Sequence, residues 1–187
     1  METIILASQS PRRKQLLEWA DIKFSIVVAN TEENFPSNIA IADVPIFIAK
    51  DKAKSVQQKI SETDKIIIAA DTIVTIENRI LSKPIDREEA ISFLLQLSNK
   101  THQVITGVVI LNEGKEISFS ETTEVEFHEL TQEQIEFYVD EYKPYDKAGG
   151  YAIQEWIGVV GIKKIIGDFY NVMGLPISRV VQELDKL

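Results

Sequence analysis

The sequence predicts a mixed α/β fold, for three reasons visible along the chain. Strand-like and helix-like patterns alternate from one end to the other, an order typical of α/β and α+β proteins. The run from Ile66 to Val74 is apolar, rich in β-branched residues and without Pro or Gly, as in strands covered on both faces. A strand from His102 to Asn112 is followed by a second arm from Lys115 to Glu129, too long for a minimal doubly wound unit. We therefore expect an α/β or α+β arrangement.

The other elements are predicted from local signals. Further strands are expected at Thr3 to Ala7, Phe24 to Val28 and Val159 to Ile166. Helices are expected at Pro11 to about Ala20, Val44 to Ile60, Arg87 to Leu97, Thr131 to about Tyr142 and Leu175 to Leu187. Residues that commonly accept a hydrogen bond at a helix start stand at the beginnings of four of them, namely Ser10, Asp43, Asp86 and Thr131. The segment from Gly167 to Gly174 is expected to be a glycine-bounded loop.

Length and composition limit the possible classes of protein. A chain of 187 residues suits one domain, or two closely joined lobes, with a substantial core. There are 29 acidic and 20 basic residues, giving a formal net charge of -9, which disfavours non-specific binding to nucleic acid. This balance still allows a small phosphorylated ligand, because such a ligand needs only a local cluster of cations.

The chain also lacks the signals of secretion and membrane insertion. It contains no cysteine, which excludes disulfides, thiolate catalysis and cysteine-ligated metals. The first residues, to Ala7, lack the basic and long apolar regions of a signal peptide. No segment approaches the ~20 apolar residues of a membrane-spanning helix. We expect a cytoplasmic protein that binds neither membrane nor nucleic acid.

One carboxylate, Asp71, lies inside the predicted central strand. Aspartate is depleted from strands, and an ionised carboxylate buried without a partner is costly. A cation, a metal ion or a substrate should therefore lie near Asp71. The residue type alone leaves two interpretations open, a functional carboxylate and a structural ion pair.

The start of the first helix breaks another local rule. Arg12, Arg13 and Lys14 stand in its first turn, where cations oppose the helix dipole. Free N–H groups, the hydroxyls of Ser8 and Ser10 and two arginines suit a bound phosphate, which would resolve the conflict. The alternative is a solvated basic turn that pairs with surface carboxylates.

Further polar residues complete the set of candidates. The acids Glu32 and Glu33, in the loop from Asn30 to Asn34, are either solvated or oxygen ligands for a hard divalent cation. Lys52 lies on the helix that starts at Val44, among lysines that mostly face solvent. The two histidines, His102 and His128, have no metal-ligand spacing and are interpreted as structural or surface residues.

Two later segments also look specialised. Lys83 precedes Pro84, which holds its backbone extended and favours one direction for the side chain. Gly149 and Gly150 permit close approach to a ligand or a turn with positive φ, and Gln154 follows a short apolar run. The plainer interpretations are a loop lysine beside a proline and a hairpin with a glutamine at its tip.

Together these residues combine cationic donors with carboxylates. This combination suits a nucleoside triphosphate with Mg²⁺, where a protein mainly positions and neutralises phosphate. The chain has neither a P-loop nor a dinucleotide fingerprint to bind it by.

Four segments then resemble, in order and spacing, the Maf family (Maf/septum formation inhibitor) of nucleoside triphosphate pyrophosphatases. They are Ala7-Ser8-Gln9-Ser10-Pro11-Arg12-Arg13, Ala70-Asp71-Thr72, Ser82-Lys83-Pro84 and Asp146-Lys147-Ala148-Gly149. The resemblance covers essentially the whole chain, 1–187, and implies a single domain without a separable linker. It implies an ITPase-like (Maf/Ham1) fold, with an elongated twisted mixed sheet flanked by helices in two lobes around a central cleft. The implied reaction cleaves the bond between the α and β phosphates and uses a divalent cation, Mg²⁺ or Mn²⁺.

The resemblance also implies roles for individual residues. Asp71 is similar to the family's catalytic acid, either as proton acceptor for the attacking water or as part of the metal site. Glu33, or less directly Glu32, matches a catalytic loop acid that binds metal, although the family usually has Asp-Glu where this chain has Glu-Glu. Phosphate-binding positions match Ser8, Arg13, Lys52 and Lys83, the last also counted among the catalytic residues. Ser82 replaces a common glycine before Lys83.

Three positions concern the base. Arg12, Thr72 and Gln154 resemble the branch of the family that acts on dTTP and UTP, rather than the 7-methyl-GTP branch. A glutamine amide offers one acceptor and two donors, which match the N3–H and carbonyl of uracil or thymine. The resemblance thus implies a dTTP/UTP pyrophosphatase that removes standard or modified pyrimidine nucleotides, with a homodimer left open. The alternatives are a different base preference, or a non-enzymatic regulator of cell division that acts through a partner.

Overall fold

The computed structural model describes residues 4–28, 31–60 and 64–187. Strands occupy β1 (Ile4–Leu6), β2 (Phe24–Ile26), β3 (Ile66–Ile76), β4 (Arg79–Leu81), β5 (Thr101–Asn112), β6 (Lys115–Phe127) and β7 (Ile162–Ile166). Helices occupy α1 (Pro11–Trp19), α2 (Val44–Lys59), α3 (Arg87–Leu97), α4 (Gln132–Tyr142), α5 (Trp156–Gly161), α6 (Phe169–Met173) and α7 (Ile177–Leu184). None of these helices is long and apolar enough to span a membrane.

The strands form one mixed sheet, which confirms the predicted fold class. Hydrogen-bonded neighbours follow the order β2-β1-β3-β5-β6-β7, and β4 pairs with β3. β1 is parallel to both β2 and β3, whereas the pairs β3/β4 and β6/β7 are antiparallel. The β3/β4 hairpin turns at Glu77 and Asn78, whose φ angles of 51° and 60° are those of a two-residue type I′ turn.

The chain divides into two compact units. Unit 1 comprises the described residues within Met1–Thr72, Thr106–Glu121 and Gly174–Leu187. Unit 2 comprises Ile73–Ile105 and Thr122–Met173. The long strands β3, β5 and β6 contribute residues to both.

In unit 1, α2 packs against the sheet through the face that its helical period predicts. Its buried residues Ala49, Ala53 and Val56 belong to one apolar cluster with alternate residues of three strands. These strand residues are Ile5 and Ala7 of β1 and its end, Ile67 and Ala69 of β3, and Val109 and Leu111 of β5. Alanines on both sides of this contact let the helix approach closely, so the core determines where α2 lies.

Gly107 permits the closest approach of α2 to the sheet. A Cβ atom at this position would lie 2.3 Å from the backbone nitrogen of Ile46 and 2.4 Å from the carbonyl carbon of Pro45. We expect Gly107→Ala to lower the free energy of unfolding by about 1–3 kcal/mol, because backbone must move to admit the methyl group. Urea denaturation measures the change.

A matched control is Gly114→Ala, because a Cβ there meets nothing within 4 Å and only the positive φ of 79° opposes it. We expect the loss at Gly107 to exceed the loss at Gly114. Equal effects at the two positions would contradict the close approach described above.

Two predictions in unit 2 are wrong. Val159 to Gly161 belong to helix α5 rather than to a strand, and the strand β7 begins only at Ile162. The β-branched pair Val159 and Val160 favours a strand locally, but propensity is a weak signal that the surrounding structure overrides.

The segment predicted as a loop between Gly167 and Gly174 contains helix α6. The side chain of Asp168 accepts a hydrogen bond from the backbone N–H of Tyr170 at 2.7 Å, so it caps the start of this short helix. The two glycines have φ angles of 125° and 115° and lie just outside it. They therefore mark the flanks of a helix and not the ends of a loop.

Most other boundaries agree with prediction to within two residues, but α7 ends at Leu184, three residues before its predicted end, and the caps differ. Asp86 and Thr131 accept the predicted bonds from Glu89 and Gln134 backbone N–H groups at 2.8 and 3.3 Å. Ser10 and Asp43 occupy N-cap positions without a side-chain cap bond, which corrects their predicted role. Asp43 ends a 3₁₀ turn and already has helical φ and ψ of −93° and −15°. Thr3 and Asn30, which the predicted elements included, lie outside the described residues.

Candidate active site

The candidate site in unit 1 forms around Asp71 on β3. The parallel register pairs Leu6 with Ile68, so the residues that follow Leu6 run beside the carboxyl-terminal half of β3. The backbone N–H of Ala7 extends this pairing by donating to the carbonyl of Ile68 at 2.8 Å. The chain then leaves the sheet at Ser8 and starts helix α1 at Pro11. The ends of parallel strands are the usual place for ligand sites in such sheets.

Asp71 lies at the centre of an ion-pair cluster. Its Oδ1 accepts a hydrogen bond from Lys52 Nζ at 2.6 Å, and the two side chains are only 9% and 12% exposed. The same ammonium donates to Glu33 Oε1 at 2.9 Å. Lys52 therefore bridges two carboxylates, one buried in a strand and one on a loop.

The two loop acids have different partners. Glu33 contacts Lys52, whereas Glu32 accepts a hydrogen bond from the amide of Asn34 at 2.7 Å and is exposed. The structure thus brings Glu33 to the Asp71 cluster. Its role as a catalytic metal ligand, and the less direct alternative at Glu32, remain predictions.

Burial is the main influence on the acidity of Asp71. The residue as a whole is 6% exposed, and desolvation raises the pKa of its carboxyl above the ordinary aspartate value. The positive charges of Lys52 and Arg13 oppose this rise, and the negative charge of Glu33 adds to it. A carboxylate with a raised pKa is a stronger proton acceptor than an ordinary aspartate, which suits a general base.

Arg13, on the first turn of α1, turns inward and is 8% exposed. Its Nε donates to the carbonyl of Gly174 at 2.8 Å, Nη1 to Ser8 Oγ at 3.2 Å and Nη2 to Thr72 Oγ1 at 3.1 Å. Burial lowers its pKa, but a guanidinium stays charged in proteins. The guanidinium thus joins the start of α1, strand β3 and the carboxyl-terminal segment, and it places a buried cation near Asp71.

Thr72 takes part in the same network through its hydroxyl. Besides the bond from Arg13, Thr72 Oγ1 lies 2.9 Å from Thr106 Oγ1 and 3.4 Å from the carbonyl of Gly174. Sequence reasoning missed Thr106 and Gly174 as parts of the site. The signal for Thr106 was a hydroxyl in an apolar strand, and the structure buries this residue fully. Gly174, which has a φ of 115°, presents its carbonyl to Arg13.

The basic start of α1 combines features of both sequence interpretations. Ser8 Oγ accepts from the backbone N–H of Ser10 and from Arg13, each at 3.2 Å, so a hydroxyl and a cation converge at the helix start. Lys14 instead pairs with Glu18 at 3.6 Å on the exposed face, as the solvated interpretation requires. Arg12 is half-buried. Of the basic residues, Arg13 is the one that the fold directs towards Asp71.

Unit 2 holds the other predicted site residues, Lys83 and Gln154, and both are exposed. Two of the motifs meet here, because the backbone N–H of Gly149 donates to the carbonyl of Ser82 at 3.0 Å. Gly149 has a φ of 70° and packs against Val74 so closely that a Cβ would lie 2.9 Å from that side chain. The predicted need for glycine at this turn is confirmed.

The two histidines have different environments. His102 is 2% exposed and bonds to the hydroxyl of Tyr151 at 2.7 Å, with Phe127 packed against both rings. Burial lowers the pKa of His102 to about 3, so the ring is uncharged at neutral pH. His128 is exposed. These positions agree with the interpretation as structural and surface residues.

The carboxylates of Glu33 and Asp71 fit a hard divalent cation that is shared with a ligand. Each places an oxygen within 2.9 Å of one point, the Lys52 ammonium, so the two acids converge. Across the described residues, no three His, Asp or Glu side chains form a metal cluster. This donor set suits Mg²⁺, which commonly takes one or two carboxylates and completes its shell with water and substrate phosphates.

Fold and site together define a class: mixed α/β proteins in which a nearly buried carboxylate meets a lysine and an arginine at the end of parallel strands. A family model described as Maf-like protein matches residues 3–187. The chain belongs to this family, as the four motifs predict.

Curated relatives are similar over nearly the whole chain. A dTTP/UTP pyrophosphatase of Cytophaga hutchinsonii is 53% identical over 98% of this chain and 84% of its own length. One of Bacillus cereus is 49% identical over 98% and 95%, and one of Parabacteroides distasonis is 47% identical over 97% and 94%. A solved Ham1 protein of Staphylococcus aureus shares 18% identity over 66% of this chain and 71% of its own, with a TM-score of 0.41. A structural similarity with so low a TM-score supports no conclusion about function.

Proposed function

We propose that this protein is a nucleoside triphosphate pyrophosphatase that acts on dTTP and UTP. Water attacks the α-phosphorus, the bond from that phosphorus to the bridging oxygen of the β-phosphate breaks, and the products are a nucleoside monophosphate and pyrophosphate. The observation that carries the proposal is the nearly buried Asp71, joined to Lys52 at 2.6 Å in a chain that shares 43–53% identity with curated enzymes of this name. A buried acid with a cationic partner suits this reaction, because the acid can accept a proton and the cation can bind phosphate.

Asp71 is proposed to accept the proton of the attacking water. The raised pKa favours proton transfer from water, and the positive charge of Lys52 opposes that rise by favouring the ionised form of the carboxylate. Lys52 also orients the carboxylate through its bond to Oδ1. A role for Asp71 as a metal ligand is the alternative that the family resemblance leaves open.

Phosphate binding is proposed for four residues. In unit 1, Ser8, Arg13 and Lys52 bring a hydroxyl and two cations towards the end of β1 and the middle of β3. Lys83, in unit 2, is included through the family resemblance, as a further cation for the phosphates. Cations of this kind stabilise charge that develops on the leaving pyrophosphate.

Base selectivity is proposed for Arg12, Thr72 and Gln154. The amide of Gln154 is exposed, and its donor and acceptor match the edge of uracil or thymine. The hydroxyl of Thr72 is held by Arg13 and Thr106, so its position is well defined. Discrimination arises because a base with the wrong edge leaves these polar groups unpaired.

A divalent cation, Mg²⁺ or Mn²⁺, is proposed to be held by Glu33 together with the substrate phosphates, and Asp71 is a further ligand in the alternative in which it does not act as the base. When bound, the cation supplies charge neutralisation at the phosphates. In the cell, we propose that the enzyme works as one domain in the cytoplasm and removes standard or modified pyrimidine nucleotides. Homodimer formation and a part in septum formation remain predictions of the family resemblance.

The proposal is tested with a panel of nucleoside triphosphates, assayed for pyrophosphate with Mg²⁺ or Mn²⁺. We expect kcat/KM for dTTP and UTP to exceed the values for dCTP, dATP and dGTP by at least about 10²-fold, as expected of a site that pairs with one base edge. Pyrophosphate release from none of them would refute the proposal and favour the binding role in cell division. A preference for another base would keep the reaction and change the substrate.

The pH dependence of kcat/KM tests the role of Asp71 as general base more directly. Because burial raises the pKa of Asp71, we expect the acid limb of kcat/KM to lie above the ordinary aspartate value of about 3.9. Lys52→Met removes the largest influence that lowers this pKa, so the limb should move to still higher pH. Comparing both proteins on dTTP at fixed metal concentration cancels the titration of the substrate. Superimposable limbs would contradict Asp71 as the titrating base.

A further inference from the structure

The turn that carries Gln154 presents this side chain from a rigid base. Ala152 and Ile153 are 5% and 4% exposed, whereas Gln154 is exposed. The backbone N–H of Glu155 donates to the carbonyl of Ala152 at 3.1 Å and closes the turn. A polar amide is thus held in solvent by neighbours that are buried.

One hydroxyl ties both ends of this turn. Tyr138, on α4, is fully buried, and its hydroxyl accepts a hydrogen bond from the backbone N–H of Ala152 at 3.1 Å. The same hydroxyl donates to Oε2 of Glu155 at 2.5 Å. Gln154 lies between these two attachment points.

The carboxylate of Glu155 is held from its other side by Lys147. The Lys147 ammonium lies 3.5 Å from Glu155 Oε1 and 2.7 Å from Asp146 Oδ1, and its side chain is 9% exposed. Lys147 belongs to the Asp146–Gly149 motif, which otherwise has no place among the proposed site residues. Its buried charge connects that motif to the turn of Gln154.

Helix α5 packs against the backbone of the same turn. A Cβ at Gly158, on α5, would lie 1.7 Å from the carbonyl oxygen of Ile153. The start of α5 therefore lies directly against the turn, and a shift of the turn in that direction is blocked.

From these contacts we infer that Tyr138, supported by Glu155 and Lys147, is a positioning residue for Gln154 and so determines base selectivity indirectly. The inference rests on the proposed function, because it assumes that Gln154 reads the base. A hydrogen-bonding side chain discriminates well only when its backbone is held in place before the ligand arrives. Phenylalanine would fill the volume of Tyr138, so the hydroxyl is needed for the two bonds to the turn.

The test is Tyr138→Phe, which removes the hydroxyl and keeps the ring. We expect KM for dTTP to rise and the ratio of kcat/KM for dTTP over dCTP to fall by about 10-fold, the equivalent of one lost hydrogen bond. kcat at saturating dTTP should change less than twofold. The matched control is Tyr142→Phe on the same helix, where the exposed ring stacks on Tyr138 at 5.0 Å. This control should leave the selectivity ratio unchanged.

Comparison with Gln154→Ala separates positioning from a general structural role. If Tyr138 acts through Gln154, then Tyr138→Phe lowers the selectivity ratio in the wild-type background and has no further effect on it in Gln154→Ala. An equal loss in both backgrounds, or an unchanged ratio in Tyr138→Phe when Gln154→Ala has lost selectivity, would overturn the inference alone. Should Tyr138→Phe fail to fold, Lys147→Met gives the same comparison from the other side of Glu155.

Failure of the proposed function has a different signature. Wild-type protein without preference for dTTP, or Gln154→Ala with unchanged preference, would overturn base reading by Gln154 and the inference with it. Hydrogen exchange at the Ala152 amide gives a readout that is independent of activity. Exchange that is about 10-fold faster in Tyr138→Phe supports the attachment of the turn, and unchanged exchange overturns it.

Discussion

Asp71→Asn is expected to lower kcat for dTTP by about 10³-fold, within the range that a positioned general base contributes. The amide has almost the shape of the carboxylate and can still accept the bond from Lys52, which lies 2.6 Å from Oδ1 in the wild type. It cannot accept a proton from water at neutral pH. Single-turnover measurement of pyrophosphate release separates this loss of chemistry from changes in binding.

The stability of the same variant gives an independent check. Burial raises the pKa of Asp71 in the folded protein above its unfolded value. The free energy that favours folding is then fully present below the unfolded pKa and is lost as pH rises through the folded pKa. Asparagine removes this loss, so Tm at neutral pH should match or exceed that of the wild type, and the difference should shrink at acid pH.

An inactive variant with a lower Tm would mean that Asp71 serves mainly as a structural ion pair. An active variant with wild-type turnover would exclude Asp71 as the base. Glu32→Gln is a useful control, because it makes the same chemical change on an exposed loop acid whose partner is Asn34. Its Tm should stay near the wild-type value.

Arg13→Lys is expected to lower the free energy of unfolding by about 3 kcal/mol and kcat/KM for dTTP by about 10- to 100-fold. The guanidinium makes three separate bonds, to Gly174, Ser8 and Thr72. An ammonium keeps the charge but lacks the planar fork, so it cannot replace all three. Urea denaturation and steady-state kinetics measure the two effects.

The matched control is Arg87→Lys in unit 2. Arg87 makes a two-pronged contact with Asp140 at 2.5 and 2.8 Å, but both side chains are well exposed, so we expect Arg87→Lys to lower the free energy of unfolding much less than Arg13→Lys does. A similar loss at both arginines would show that burial of Arg13 adds nothing to its contribution. Retained stability with reduced activity in Arg13→Lys would instead support a role limited to the phosphates.

The residues that sequence reasoning identified are those that break a local rule. Asp71 stands out because an acid interrupts an apolar strand, and the first turn of α1 stands out because its cations oppose the helix dipole. Both conflicts are visible within a few residues, and in unit 1 Asp71 pairs with Lys52 while Arg13 bonds to Ser8 and Thr72. The fold class could be predicted because strand-like and helix-like patterns alternate along the chain, and each pattern is visible within a short segment.

What sequence reasoning missed depends on distant partners. Thr106 and Gly174 are unremarkable in their own segments, and they join the site only because the fold brings them to Arg13 and Thr72. Gly174 lies 161 positions from Arg13 and 102 positions from Thr72. The helix α5 was missed because Val159 and Val160 favour a strand when read alone. The close approach of Gly158 to the carbonyl oxygen of Ile153 belongs to the folded turn and is not visible in the strand-like pattern.

The bridge from Lys52 to two acids has a consequence for how a substrate arrives. Lys52 donates to both Asp71 and Glu33, and the charges of Lys52 and Arg13 act on Asp71, so cations and carboxylates largely offset one another within this cluster. The chain as a whole carries -9 and repels a triphosphate at long range. At long range this net charge opposes encounter, and we expect added salt, which screens the repulsion, to raise the association rate of the triphosphate.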